Sequence, residues 1–268
     1  VAAGETRDGE RPAGAKVQPA GDSQQALLAV RGLVKDFGRH RVLRGLSFHV
    51  QAGEIVALLG PNGAGKTTTL KTVAGLLRLT AGQVLIEGRP HTDAEARRGL
   101  ALVPEVPSVY ELLTAWEHLE FIALAFRLSG WQAASEALLR RYHLWEKRDA
   151  LGATLSKGQR QKLLICAALL HRPRVFLFDE PLVGLDPAAQ RDLKTSLRAM
   201  RDEGAAILVS THMLETVERL CDRAIVMNRG ELLAEGTLDQ LRERFHLPTH
   251  APLEEVFLEA TGEGNATP

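Results

Sequence analysis

An α/β fold is what this sequence predicts, and three observations predict it. A strand-like run, Glu54 to Leu59, leads through a glycine-rich turn into a helix-like run, Thr68 to Leu77. A second apolar run, Val175 to Phe178, ends in two acids, Asp179 and Glu180. Beyond it, strand-like and helix-like segments alternate, the pattern of helices layered on a mostly parallel sheet.

The elements follow in order. Residues 1–25 hold almost nothing but small, polar and charged residues, with Pro12 and Pro19 among them and no apolar periodicity. They read as a disordered tail, and no apolar central stretch marks a signal peptide. From Ala26 to Val50, alternating apolar segments such as Leu27 to Val30 and Val42 to Val50 predict antiparallel strands. Strands are expected at Ile55 to Leu59, Val84 to Ile86 and Leu100 to Val103, with a helix to about Leu77 after the first. Glu111 to about Leu170 reads as mainly helical, and Thr114-Ala115-Trp116-Glu117 has capping-box spacing ahead of an apolar run. Helix Ala188 to Met200, strand Ala206 to Ser210 and helix Met213 to Cys221 continue the alternation. Strands near Ala224 to Met227 and Glu231 to Glu235 and two short helices close it.

Composition narrows the classes. Lysine plus arginine equals aspartate plus glutamate, 33 each, so nothing supports a broad electrostatic footprint for nucleic acid. Cys166 and Cys221 lie in apolar, helix-like runs and read as buried thiols of a reducing compartment. The longest apolar run, Leu163 to Leu170, is far too short to cross a bilayer, so a soluble or peripheral chain is expected.

Gly60-Pro61-Asn62-Gly63-Ala64-Gly65-Lys66-Thr67 fits G-x-x-x-x-G-K-[ST] at every specified position. Glycines let successive backbone N–H groups turn inward toward phosphate oxygens, and the helix opening at Lys66, Thr67 and Thr68 adds its positive end. Lys66 would reach the β- and γ-phosphates of a nucleotide, and the Thr67 hydroxyl would bind Mg²⁺. Asp179 and Glu180 stand where ligands gather, at the carboxyl end of a buried strand. Asp179 would hold Mg²⁺ directly or through water, and Glu180 would orient and deprotonate an attacking water.

Three further segments carry more. Leu155-Ser156-Lys157-Gly158-Gln159 precedes the acidic strand, Gly184-Leu185-Asp186-Pro187 follows it, and Thr211-His212 ends the next strand. In this order, with the two nucleotide motifs, they resemble the nucleotide-binding subunit of an ABC (ATP-binding cassette) transporter over roughly Leu27 to Gly262. The resemblance implies a P-loop NTPase (RecA-like) lobe with an antiparallel β subdomain and an inserted helical subdomain at about 111–166. The ATPase domain would span 26–245, followed by a C-terminal extension, 246–268.

The resemblance also implies chemistry. ATP and Mg²⁺ would be the cofactors, with Phe37 stacking on adenine. Two subunits, identical or related, would pack head to tail, so that Ser156, Gly158 and Gln159 of one reach the γ-phosphate held by the other. His212 would contact that phosphate and position the water. Where most members carry glutamine, this chain has Glu105, still a metal-ligating oxygen donor and set beside Asp179 and Glu180. Lys157 replaces a glycine, and Val183 stands where serine is common. The ending Leu253 to Gly262 resembles the bacterial exporter branch. An integral membrane permease would be the partner, nucleic acid would not, and the subunit would sit in the cytoplasm on the inner face of the membrane. The other reading is a soluble ABC ATPase uncoupled from transport. The single cassette and the lack of sustained heptads weigh against it.

Overall fold

The structure is a computed structural model that describes residues 26–262, so the tail expected over 1–25 lies outside the described residues. The chain runs β1 (Leu28–Phe37), β2 (His40–Val50), β3 (Glu54–Leu59), α1 (Lys66–Val73), β4 (Ala81–Ile86), β5 (Arg89–Pro90), α2 (Ala94–Arg98) and β6 (Leu100–Val103). It continues through α3 (Ala115–Phe126), α4 (Trp131–Arg141), α5 (Lys157–Leu170), β7 (Val175–Asp179), α6 (Pro187–Asp202) and β8 (Ala206–Ser210). Then come α7 (Leu214–Leu220), β9 (Arg223–Asn228), β10 (Glu231–Gly236), α8 (Leu238–Arg244) and α9 (Leu253–Thr261).

Two sheets form. β2, β1, β4 and β5 make an antiparallel sheet, and a six-stranded sheet runs β10–β9–β3–β8–β7–β6 with only its β10 edge antiparallel. Successive strand residues point to opposite faces, and every residue of β7 and β8 is buried, so both faces of the centre must be covered. Val175 and Leu177 pack with Val56, Leu58 and the antiparallel sheet; Phe176 and Phe178 pack with Leu163 of α5 and Leu193 of α6. Ala57 and Leu59 of β3 join a third cluster with Val217 of α7 and Leu241 of α8. α9, inside the stretch expected as an extension, buries Leu253 and Val256 in that same cluster.

The helical lobe follows the predicted start signals. Thr114 caps α3 through a reciprocal box with Glu117. Tyr142, fully buried after α4, ties the lobe to α6 by a 2.9 Å hydrogen bond to the Ser196 hydroxyl, and burial pushes its phenol up to about 12. Cys166 is buried and Cys221 half-buried; burial raises both thiols, Cys221 to about 12, as expected of inert cysteines. The helix expected to about Leu77 stops at Val73. Gly75, at φ 75°, takes the left-handed turn, and the Leu76 N–H reaches back to the Lys71 carbonyl at 2.9 Å. β5 and α2 carry too few residues to show a period, so the sequence reading lacks them.

One turn far along the chain holds the glycine-rich loop in place. The Gly230 N–H donates to the Ala64 carbonyl at 2.9 Å, and the Arg44 N–H donates to the Gly230 carbonyl at 2.9 Å. Gly230 has φ 79°, and a Cβ there would overlap the Val42 carbonyl oxygen. Gly230→Ala therefore combines a left-handed backbone with a backbone clash, and should cost about 3 kcal/mol or more in urea unfolding. A loss below about 1 kcal/mol would show that this turn does not brace the loop.

Candidate active site

The turn between β3 and α1 is shaped by close packing. A Cβ on Gly60 would run into the Met227 carbonyl oxygen, and one on Gly65, at φ 106°, would come 2.8 Å from a Leu43 methyl. Gly63 also sits at positive φ, 82°. Only glycine meets these demands without strain. The first intrahelical bond of α1 runs from the Thr69 N–H to the Gly65 carbonyl, so the N–H groups of Lys66, Thr67 and Thr68 have no acceptor within the helix. The Lys66 side chain is buried, and its ammonium donates to the Gly60 and Pro61 carbonyls at 2.7 and 3.2 Å.

Across from this loop, β7 and β8 end side by side, with Asp179 paired to Ser210 in parallel register. Asp179 is 2% exposed and Glu180 8%. Buried carboxylates need donors. The Ser210 hydroxyl donates to Asp179 Oδ1 at 2.6 Å, and the Glu180 N–H is held by the Ser210 carbonyl and hydroxyl oxygens, both at 3.1 Å. Glu180 adopts φ 47°, an unusual conformation for this residue that breaks the strand alternation. Its Oε1 lies 3.0 Å from His212 Nδ1, and the His212 N–H donates to Oε2 at 3.4 Å.

These groups share one cavity of about 440 Å³. Asn62 to Thr68, Glu105, Asp179, Glu180, Val183, His212 and Val42 line it. The hydroxyl of Thr67 and the carboxylates of Asp179 and Glu105 are hard oxygen donors of the kind Mg²⁺ takes. Among the described residues no group of three or more His, Cys, Asp or Glu side chains comes together closely enough to hold a metal by itself. The donor set therefore fits an ion that completes its shell with water and phosphate oxygens.

Three sets of predicted residues lie outside the cavity. Gly60 and Pro61, whose carbonyls hold the Lys66 ammonium, do not line it. Phe37 does not line it; the ring is 47% exposed at the end of β1, with the Lys35 ammonium 4.6 Å from its centre. At that exposure the ring is no part of the core. Ser156, Gly158 and Gln159 sit at the start of α5 and do not line the cavity either. Ser156 caps α5: its oxygen accepts the Gln159 N–H at 3.2 Å, while the Gln159 side chain accepts the Ser156 N–H at 2.9 Å. That bond uses the oxygen as acceptor and leaves the O–H free to donate. The N–H groups of Lys157 and Gly158, in the first turn, point out of the helix as orphan donors.

Several residues here escaped the sequence reading. Ser210 was read only as a strand end; its partner Asp179 is 31 positions away. Arg160, Gln161 and Lys162, consecutive on α5, each reach a different loop. Arg160 donates to the Gly152 and Ala153 carbonyls, Gln161 to the Pro104 carbonyl at 3.3 Å, and Lys162 to Asp186 at 2.6 Å. The one signal in sequence is that α5 opens with a polar stretch, Lys157 to Lys162, before its apolar run begins at Leu163.

Comparison with known proteins adds an independent line. A family model described as ABC transporter matches residues 43–183. The ATP-binding protein EcsA of Bacillus subtilis is 38% identical over 242 residues, covering 89% of this chain and 98% of the relative. The SkfA peptide export ATP-binding protein SkfE of the same organism is 38% identical, covering 81% and 92%. A solved structure of an ATP binding subunit of an ABC transporter superposes with a TM-score of 0.84 at 40% identity, covering 88% of this chain and 99% of that one.

The Ser210 hydroxyl is the protein donor that the structure gives to the Asp179 carboxylate. Ser210→Ala should therefore cost about 1–3 kcal/mol of stability, the price of a buried carboxylate short of a donor. Urea unfolding of the variant checks it, and an unchanged midpoint would mean that water replaces the hydroxyl at no loss.

Proposed function

This chain belongs to the ABC transporter family as an ATP-binding subunit, an ATPase that powers transport, and on that premise we propose that it works as a head-to-tail dimer with two composite sites. The observation that carries the reading is the division of the donors. One cavity gathers the glycine-rich loop, Glu105, Asp179, Glu180 and His212, while the Ser156 end of α5 stays outside it. A second copy, or a related subunit, supplies that missing helix end.

Within each site the roles follow from position. Lys66 exchanges its two loop carbonyls for the β- and γ-phosphates, and the free N–H groups of α1 hold further phosphate oxygens. Thr67, Asp179 and Glu105 hold Mg²⁺, which when bound offsets the phosphate charge. Glu180 accepts a proton from the attacking water. A neutral His212 with its proton on Nδ1 would donate to the Glu180 carboxylate and keep Nε2 as an acceptor for the attacking water. From across the interface, the Ser156 hydroxyl and the N–H groups of Lys157 and Gly158 complete the phosphate cage. Phe37, exposed at the end of β1, offers its face to adenine.

The chain works with an integral membrane permease and exports its substrate. Two observations support this. Val106, Tyr110, Leu112, Phe121, Leu124 and Leu151 are all exposed on the helical lobe and the loop after Glu105. Exposed apolar side chains of this kind mark docking surfaces, and a short permease helix is the occupant assigned to this one. The relative SkfE, a peptide export ATP-binding protein, supports export. Among the described residues no helix is long and apolar enough to cross a membrane, so the membrane part of the transporter is assigned to the permease.

Glu180→Gln keeps the shape and removes the base. Turnover should fall about 10²-fold or more while ATP affinity holds, leaving an ATP-bound dimer in gel filtration. Wild-type turnover in that variant would remove Glu180 from the role of base.

Ser156→Arg and Lys66→Ala should each be nearly inactive alone. Mixed, the two lesions fall on one composite site and leave the other whole, so the mixture should recover part of the activity. No recovery, with heterodimers present by crosslinking, would show either strict coupling of the sites or a site made within one subunit. ATP affinity of the isolated Ser156→Arg subunit separates those two cases, since only a site made within one subunit would lose affinity.

A further inference from the structure

Two segments lie side by side, the first of which the composite-site reading gives to the partner's nucleotide while the second reaches this subunit's own cavity through Val183. One is the start of α5 with Ser156; the other is the loop 183–186 between β7 and α6. Backbone approaches backbone here, because a Cβ on Gly158 would lie 2.9 Å from the Gly184 carbonyl oxygen. One turn further along α5, Lys162 is 9% exposed and its ammonium meets Asp186 Oδ2 at 2.6 Å. The other carboxylate oxygen of Asp186 accepts the Ala189 N–H at 2.9 Å and so caps α6. Gln190 fastens the same loop from behind, donating to the Leu182 and Leu185 carbonyls at 3.1 and 3.3 Å.

We propose that Lys162 is a positioning residue: through Asp186 it locks the loop 183–186 to the helix carrying Ser156, so that this helix end is held in a fixed position toward the partner's ATP. The inference rests on the composite-site reading and adds to it the part that sets the geometry. A buried ammonium with one close carboxylate has a single favourable arrangement, since losing the partner leaves a charge in a poorly solvated place. The Asp186 carboxylate also stays ionised in use: the Lys162 ammonium first, then the Ala189 N–H, hold its carboxyl down at about 2. Lys162 does not line the cavity and its bonded partner is Asp186, so its effect on ATP runs through the helix end and the loop, whose first residue, Val183, does line it.

Asp186→Asn is the sharpest test. Asparagine caps a helix as well as aspartate does, so the change removes the ion pair and keeps the cap. Lys162→Met accompanies it, with Lys162→Arg as the conservative control. The expected result is a fall in kcat of about tenfold or more in both Asp186→Asn and Lys162→Met, KM within about twofold, and near-normal turnover in Lys162→Arg. Affinity of the isolated Asp186→Asn subunit for ATP, by calorimetry with Mg²⁺, should be unchanged. Mixing Asp186→Asn with Lys66→Ala should restore part of the activity, since both lesions then share one site.

Turnover within about twofold of wild type in Asp186→Asn, with Ser156→Arg inactive, overturns the role of the ion pair and leaves the composite site standing. An equal loss of ATP affinity in the isolated subunit also overturns it, because the lesion then acts within its own subunit. Wild-type turnover in Ser156→Arg removes the composite site and this inference with it. If Lys162→Met does not fold, Asp186→Asn decides alone.

Discussion

Two adjacent carboxylates are buried at the end of β7, and burying charge costs several kcal/mol unless donors meet it. The rest of the site is arranged around that demand. Asp179 takes the Ser210 hydroxyl, so β8 must end level with β7. Glu180 turns to φ 47° and meets His212, so the segment after β8 must fold back across the strand end. Lys66, the cation on the facing loop, finds neutral carbonyls as partners, a weaker hold that leaves it able to move to a stronger anion. The site is thus stiff on its acidic side and adjustable on its basic side, which suits a pocket that takes and releases a polyanion.

Stiffness on the acidic side depends on the sheet. β7 and β8 are buried along their whole length, so they cannot slip by one residue without turning their apolar set to the wrong face. Each face of that sheet meets a different partner layer. The phosphate loop belongs to the layer shared with the antiparallel sheet, through Ala64 and Leu70; α5 belongs to the other layer, through Leu163 and Ile165. The two halves of the ATP chemistry therefore stand on opposite sides of the same strands. A subunit built this way presents its phosphate loop and its Ser156 helix on separate faces of the sheet, the arrangement that the proposed dimer uses.

The head of α5 joins these parts. Arg160 holds the carbonyls of Gly152 and Ala153, whose N–H groups bond the Leu113 and Glu111 carbonyls of the loop beside exposed Tyr110 and Leu112. Gln161 holds the carbonyl next to Glu105, and Lys162 holds Asp186. Three consecutive side chains, fanned about 100° apart, thus connect the turn at Gly152, the loop of Glu105 and the loop 183–186 to one short stretch of helix. The same stretch begins with Ser156.

Much of this was legible in the chain itself. The phosphate loop, the acidic end of β7 and the capping boxes at Thr114 and Ser156 are local: a few consecutive residues specify both the backbone shape and the chemistry. Strands β3, β7 and β8 announced themselves as apolar runs, and the order of the motifs gave the family. What the sequence left open was adjacency across distance. Ser210 beneath Asp179, Gly230 beneath Ala64 and Lys162 beside Asp186 join positions 31, 166 and 24 residues apart. Periodicity tells which face of an element is buried, but it does not tell which element lies against that face. Strand order and helix packing decide that, and they arise from the whole apolar surface being buried at once.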